Sequence, residues 1–591
     1  MKYDVVIVGG GVAGSLLAKQ LTWAGKHVLL LEAGLNLAGT WDGYDSYLQN
    51  FYTQWLKTDQ APYGFNPNAR FPQSLTQNDG KPSTEDEYIV SKGMTYPGSY
   101  VRQLGGTSLH WTGTMLRLMP NDFRMATLYG QGRDWPISYD DLNPYYNRAE
   151  WEIGVSGDVA DQSIGGIHFD QGYQYPMQRI PVSYMDQRVG KALDGMTVEE
   201  CGQEFTLSVR SLPQARNSTP NDGYRPAGAV GRPDYGQRCE GHANCVPICP
   251  VQAKYNSLKT LTAAKKENLE VSTQSVASKI NIDAASGRVT GIQYKAYKDT
   301  KSAEHTVEVA EGTIYVISAH VFETAKLLLA SQAANSSGQV GRNLMSHPTL
   351  LAWGTMPENV GAFRGPIVTS GMESMRDGEF RKYRAAWRCD LSNGGWAYPT
   401  GAPVTTVQQL VDNENAFGKG LRDQLASTQP RQISLQFLTE QLPESTNRIT
   451  IDQTQVDQLG NYLPILHYGL SDYTKAGIAA ARRLSKRIFA RMGVADASTY
   501  SAAYAQLTDQ GYFEYEGEGF GYWAAGHYAG SHRMGSSRAD SVVNPRQQTW
   551  DHENLYLVGA GNFCTLGTPN PTLTLSALAL WAADNIIKDL G

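Results

Sequence analysis

Residues 3–34 read YDVVIVGGGVAGSLLAKQLTWAGKHVLLLEAG. Val5 to Val8 form an unbroken apolar, β-rich run, the pattern of a strand buried on both faces of a parallel sheet. GGGVAG follows, then SLLAKQLTWAG with helical spacing of its apolar residues, then HVLLLEAG as a second strand. One βαβ unit therefore fits into about 30 residues. Gly9, Gly11 and Gly14 make G-x-G-x-x-G across the strand-to-helix turn. The first glycine permits the tight turn and the second lets backbone approach a pyrophosphate. The third lets helix and strand pack closely, with the phosphates over the helix N-terminus. Glu32, 18 residues beyond Gly14 at the end of the second strand, stands where an acidic side chain binds ribose hydroxyls. The pattern implies a dinucleotide site without separating FAD from NAD.

The rest of the chain is too long for that unit alone. At 591 residues, two domains or one domain with large insertions are expected. An apolar fraction of 41% with 18% charged residues suits a large, well-buried enzyme and excludes a disordered chain. A net charge of −6 without a long basic run offers nothing to nucleic acid. No run of about 20 apolar residues is present, so no direct membrane span is expected. The N-terminus opens directly into a strand, so no secretion signal of its own is expected.

The α/β style recurs in pieces. EGTIYVISAHVFETAKLLLAS (311–331) reads as strand, turn and helix, ENLYLVGAGN (553–562) as a buried strand, and TLTLSALALWAADNIIKDL (572–590) as a mostly buried helix. Residues 350–500 instead alternate strand-like stretches and turns before a helix at 473–492, the expected substrate domain. The fold expected is α/β: a Rossmann-like cofactor domain from 1–50, 90–170, 235–345 and 521–591, with an inserted α+β substrate domain from 171–234 and 346–520. Residues 51–89, rich in Tyr, Asn, Pro and Gly, are expected as an extended insertion or lid.

HYAGSHRMG puts His527 at the head of H-x-x-G-S-x-x-M-G, and Asn570 lies just before the C-terminal helix. Alcohol oxidation by hydride transfer needs a base for the hydroxyl proton, and neutral His suits that role near pH 7. His532 and His552 read as satisfied core histidines. Three of the six cysteines, Cys239, Cys245 and Cys249, crowd into CEGHANCVPICP. Three thiolates on a turn-rich loop suit an iron–sulfur cluster. A structural zinc with His242 as fourth ligand, or unligated thiols, are the alternatives. Cys201, Cys389 and Cys564 read as buried small hydrophobes.

Four motifs in order, the glycine motif with Glu32, RQLGGTSLHWTG, HYAGSHRMG and NPTLTLSALAL, resemble the glucose–methanol–choline (GMC) oxidoreductase family across essentially the whole chain. The resemblance implies FAD as cofactor, held by Gly9, Gly11, Gly14, Glu32, Gly105, Gly106, Thr107, His110, Val276 and Thr572. It implies His527 as catalytic base and Asn570 as its partner on a sugar hydroxyl. In pyranose oxidase-like relatives the His of a run such as GGTSLHWTG is joined covalently to the flavin; His110 either carries that link or only contacts the ring. The C-x5-C-x3-C-P cysteines, with LPQARNS and GRNLMSHP, resemble catalytic subunits of bacterial glucose and fructose dehydrogenases, which implies a 3Fe–4S cluster. In such complexes a small export subunit and a multihaem cytochrome c subunit are partners. A periplasmic, membrane-associated location through those partners is then expected, or a cytoplasmic one without them. The alternative within the family is an oxygen-using pyranose or C-glycoside oxidase making H2O2 and a keto-sugar.

Overall fold

The computed structural model describes residues 3–37, 41–53, 66–69, 88–96, 98–224, 237–239, 241, 245–246, 248–508 and 510–591. Its organising element is a five-stranded parallel sheet in the order Leu555–Leu557, Gly312–Ile317, Tyr3–Val8, Val28–Leu31, Leu269–Ser272. Val5, Val6 and Ile7 are fully buried, as a strand covered on both faces requires. The first turn leads into the helix Val12–Trp23, which packs against the C-terminal helix Thr572–Leu590. Chain segments some 250 and 550 residues apart thus meet in one sheet, and the turns at its C-terminal edge face the same space.

An eight-stranded, largely antiparallel sheet forms a second layer. Its central strands are Glu518–Ala524, Pro348–Thr355, Gln432–Thr439 and Trp387–Ser392 in that order. Pairing sets Trp523 beside Thr349, Thr349 beside Leu438 and Leu438 beside Arg388. Two residues along the strands, Leu351, Gln436 and Asp390 form the next row of the same face. The helix Asp472–Met492 packs on this sheet. An antiparallel meander of Ser275–Ile282, Val289–Tyr297 and His305–Ala310 brings Val276 to the edge of the first layer.

Two local expectations differ from the structure. Trp41–Thr53 forms a helix that runs across the expected boundary at residue 51 between cofactor domain and extended insertion; Gln49 donates to the Asp45 carboxylate at 2.6 Å one turn away. Of the expected lid, residues 54–65 and 70–87 lie outside the described residues. Cys201 is exposed, not buried: with Gly202 it makes the two-residue turn between the strands Thr197–Glu200 and Gln203–Thr206, both with positive φ. Cys389 and Cys564 are buried as expected.

Candidate active site

A cavity of about 420 Å³ lies between the turns of the parallel sheet and the face of the second sheet. Gly9, Gly11, Glu32, Gly106 and Thr107 line one end, with Val276 beside them. His110, His527, Asn570 and Thr572 line it as well. Gly14 and Gly105 stand behind this wall. A Cβ on Gly14 would lie 1.9 Å from the Gly9 carbonyl oxygen, so helix and strand touch there only because the residue has no side chain. Gly105, at φ +106°, donates its N–H to the Gly10 carbonyl at 3.0 Å and joins the two glycine turns.

This end of the cavity fits a dinucleotide. A Cβ on Gly11 would meet nothing within 4 Å, which leaves an open cradle at the N-terminus of the Val12–Trp23 helix. Glu32 accepts from the Gly10 N–H at 2.9 Å and the Gly34 N–H at 3.1 Å, which fixes its carboxylate at the strand end. Burial raises its pKa, and the backbone donors and Arg102 oppose that rise only partly.

The other end holds a relay of side chains, all buried except the half-buried His527. His347 Nε2 contacts the Gly567 carbonyl oxygen at 2.8 Å, and an acceptor there forces Nε2 to carry the proton. His347 Nδ1 is then an acceptor, so His527 Nδ1, 2.9 Å away, is the donor. The lone pair of His527 is left on Nε2, where the Asn570 amide Nδ2 donates to it at 3.1 Å. The Asn570 orientation follows from its other side: Arg388, a donor only, binds Oδ1. Arg388 also donates to the Thr568 carbonyl at 3.0 Å and pairs with Asp390. Thus Gly567 O, His347, His527, Asn570 and Arg388 assign one another's tautomers and rotamers.

The electrostatics keep both imidazoles neutral. Burial, then His347 and then Arg388, push the His527 pKa well below 6.5. Burial also pushes His347 down to about 3. A neutral imidazole with its lone pair facing an amide N–H on the cavity wall can take a proton from a hydroxyl that reaches both. His347, Arg388 and Asp390 are functional neighbours missed in the sequence reading. GRNLMSHP contains His347, but nothing local in that run points to a partner 180 residues away. His532 and His552 are buried and bonded, to Asn562 at 2.7 Å and to the Gly287 carbonyl at 2.6 Å, and His532 touches the cavity wall.

Family models described as GMC oxidoreductase match residues 3–349 and 443–579. The chain belongs to the GMC oxidoreductase family. It is therefore an FAD-binding oxidoreductase acting on CH–OH groups of sugars and alcohols. It is 30% identical to the fructose dehydrogenase large subunit of Gluconobacter japonicus, over 99% of this chain and 98% of that one. It is 28% identical to the 2-methyl-1,2-propanediol dehydrogenase of Mycolicibacterium austroafricanum, over 99% and 95%. Among solved structures, formate oxidase superposes with a TM-score of 0.64 at 15% identity, over 100% of this chain and 99% of that one. The GMC fold explains the discontinuous cofactor layer.

The cysteine loop adjoins the same cavity. Val246, next to Cys245, lines it. Lys254 donates to the carbonyls of both Trp111 and Cys245, and Arg216 donates to the Thr112 carbonyl and, at 2.9 Å, to Cys245 Sγ. Two buried cations thus fasten the loop to the His110–Thr112 wall. Among the described residues no group of three His, Cys, Asp or Glu converges as a metal-ion site, and His242 lies outside them. No described helix is long and apolar enough to cross a membrane.

Proposed function

We propose that this GMC oxidoreductase is the catalytic flavoprotein of a sugar dehydrogenase whose electrons leave through an iron–sulfur cluster rather than to oxygen. The observation that carries the reading is the fastening of the cysteine loop to the flavin-side wall by Arg216 and Lys254. Cys239, Cys245 and Cys249 are the largest charge partners of Arg216 among the described residues, which brings all three thiols within range of one guanidinium. Zinc would draw its ligands to one point at about 2.3 Å. Cluster cysteines each hold a different iron and need no such convergence. A 3Fe–4S cluster on these three residues fits that arrangement.

FAD, when bound, supplies the hydride acceptor. His527 Nε2 takes the hydroxyl proton, the Asn570 amide N–H holds the hydroxyl oxygen, and His347 keeps His527 in the tautomer that has its lone pair on Nε2. The positive end of the Thr572–Leu590 helix, beside Asn570, favours negative charge in the cavity. His110, on the cavity wall, is the residue proposed to carry a covalent flavin link; acid-precipitated protein should keep its yellow colour.

Similarity to a protein named as a large subunit supports assembly with further subunits. A small export subunit, a multihaem cytochrome c and a periplasmic membrane-associated site are the proposed context. The test is anaerobic titration with a panel of sugars, then turnover in air. Bleaching of the flavin by a sugar, with peroxide far below one per sugar oxidised, is expected. Stoichiometric peroxide would overturn the reading in favour of an oxidase.

A further inference from the structure

The segment Leu212–Ser218, LPQARNS, contains an arginine that neither the proton relay nor the dinucleotide cradle uses. Arg216 is 2% exposed, and its guanidinium is charged at every accessible pH. A permanent cation therefore sits in the interior. Its hydrogen bonds go to the Thr112 carbonyl, to Gln214 Oε1 at 3.2 Å and to Cys245 Sγ at 2.9 Å. Its largest charge partners among the described residues are thiols, in the order Cys245, Cys239, Cys249. Cys245 itself packs among Leu116, Leu212, Ile367 and Val368. An uncompensated cation in such apolar surroundings is strongly unfavourable. Neutral thiols do not compensate it, whereas metal-ligated thiolates do.

We infer that Arg216 is the fixed countercharge of the cysteine site and a positioning residue for electron exit: spanning Cys245 and Thr112, it stabilises the more negative, reduced form of the group held by the three cysteines and so raises its reduction potential. The inference rests on the iron–sulfur reading above. Charge and hydrogen bonding at the cluster sulfurs are levers on such potentials. Each hydroxyl oxidised releases one proton, to His527, and one hydride, to the flavin. A cluster held by the three cysteines would accept these two electrons one at a time, so one sugar would reduce two equivalents of a one-electron acceptor such as ferricyanide.

The experiment is redox titration of the full flavin-loaded chain, followed by electron paramagnetic resonance, with iron and acid-labile sulfide measured on the same samples. Wild type is compared with Arg216→Lys, Arg216→Met and Arg216→Gln. In the two neutral variants the midpoint should fall by at least a tenfold change in equilibrium constant, about 59 mV for a one-electron couple. Arg216→Lys should stay nearer to wild type. Loss of iron and sulfide from both neutral variants, with flavin and melting temperature retained, also supports the countercharge role. Full iron and an unshifted midpoint in either neutral variant would overturn it, as would a lysine variant shifted as far as the neutral ones. Wild-type protein without iron or sulfide would instead overturn the cluster reading itself, a separate result.

Discussion

Replacing His347 with Leu tests the relay at its least obvious member. His347 makes a buried hydrogen bond to the Gly567 carbonyl at 2.8 Å and a partly buried one to His527 Nδ1 at 2.9 Å. Leucine is apolar and of similar bulk, so it keeps the packing and removes both. His527 then loses the acceptor that holds its proton on Nδ1. One buried hydrogen bond contributes about 0.5–1.5 kcal/mol net, which corresponds to about 2- to 13-fold in the population of the productive tautomer and orientation. The flavin reduction rate at saturating sugar, measured anaerobically by stopped flow, should fall by that factor. A second effect separates this role from general damage. His347 depresses the His527 pKa, second only to burial among its causes. In wild type the rate should therefore hold to well below pH 6.5 before the base protonates. In the Leu variant the acid limb should move up toward 6.5. His347→Gln, whose amide can accept from His527 and donate to Gly567, should restore most of the rate. A Leu variant with the wild-type rate and an unmoved acid limb would refute the tautomer assignment.

His527→Ala should lower the flavin reduction rate by about 10²–10⁴-fold with little change in melting temperature; an unchanged rate would remove His527 from the chemistry. Gly11→Ala adds a Cβ to open space and should leave a stable fold with weakened FAD binding, read by flavin content after gel filtration. Gly14→Ala meets the Gly9 carbonyl and should destabilise the protein by about 1–3 kcal/mol in urea unfolding; equal stability of the two variants would contradict the close-packing argument. His320 is half-buried, stacked on Tyr100, with its pKa pushed down to about 4 by desolvation, so it stays neutral when folded and protonates near pH 6.5 when unfolded. Its contribution is complete above pH 6.5 and is lost as pH falls toward 4, by about 2 kcal/mol at pH 5. His320→Asn, which tolerates the +65° φ, should lose that much less stability between pH 7.5 and 5.

What was legible in the sequence divides along a physical line. The βαβ unit is readable because its strands are buried on both faces and its glycines sit where backbone meets backbone, both local demands written in consecutive residues. His527 and Asn570 are readable for a different reason: each lies in a run matched by a family pattern. His347, Arg388 and Asp390 satisfy neither condition. Their roles exist only because the strands Pro348–Thr355 and Trp387–Ser392 pair on either side of Gln432–Thr439, with their cavity-facing rows in register. That register brings Arg388 to Asn570, and the end of the Pro348 strand brings His347 to His527. The same holds for the cysteine trio. Its spacing is visible in the chain, but the meaning of that spacing depends on Arg216 and Lys254, which tie the loop to the wall formed by His110–Thr112. Two buried arginines anchor these neighbourhoods: Arg388 orients Asn570, and Arg216 ties Cys245 to the Thr112 carbonyl. Neither arginine can lose its charge, so both anchors keep their hydrogen-bond donors at every pH that leaves the fold intact.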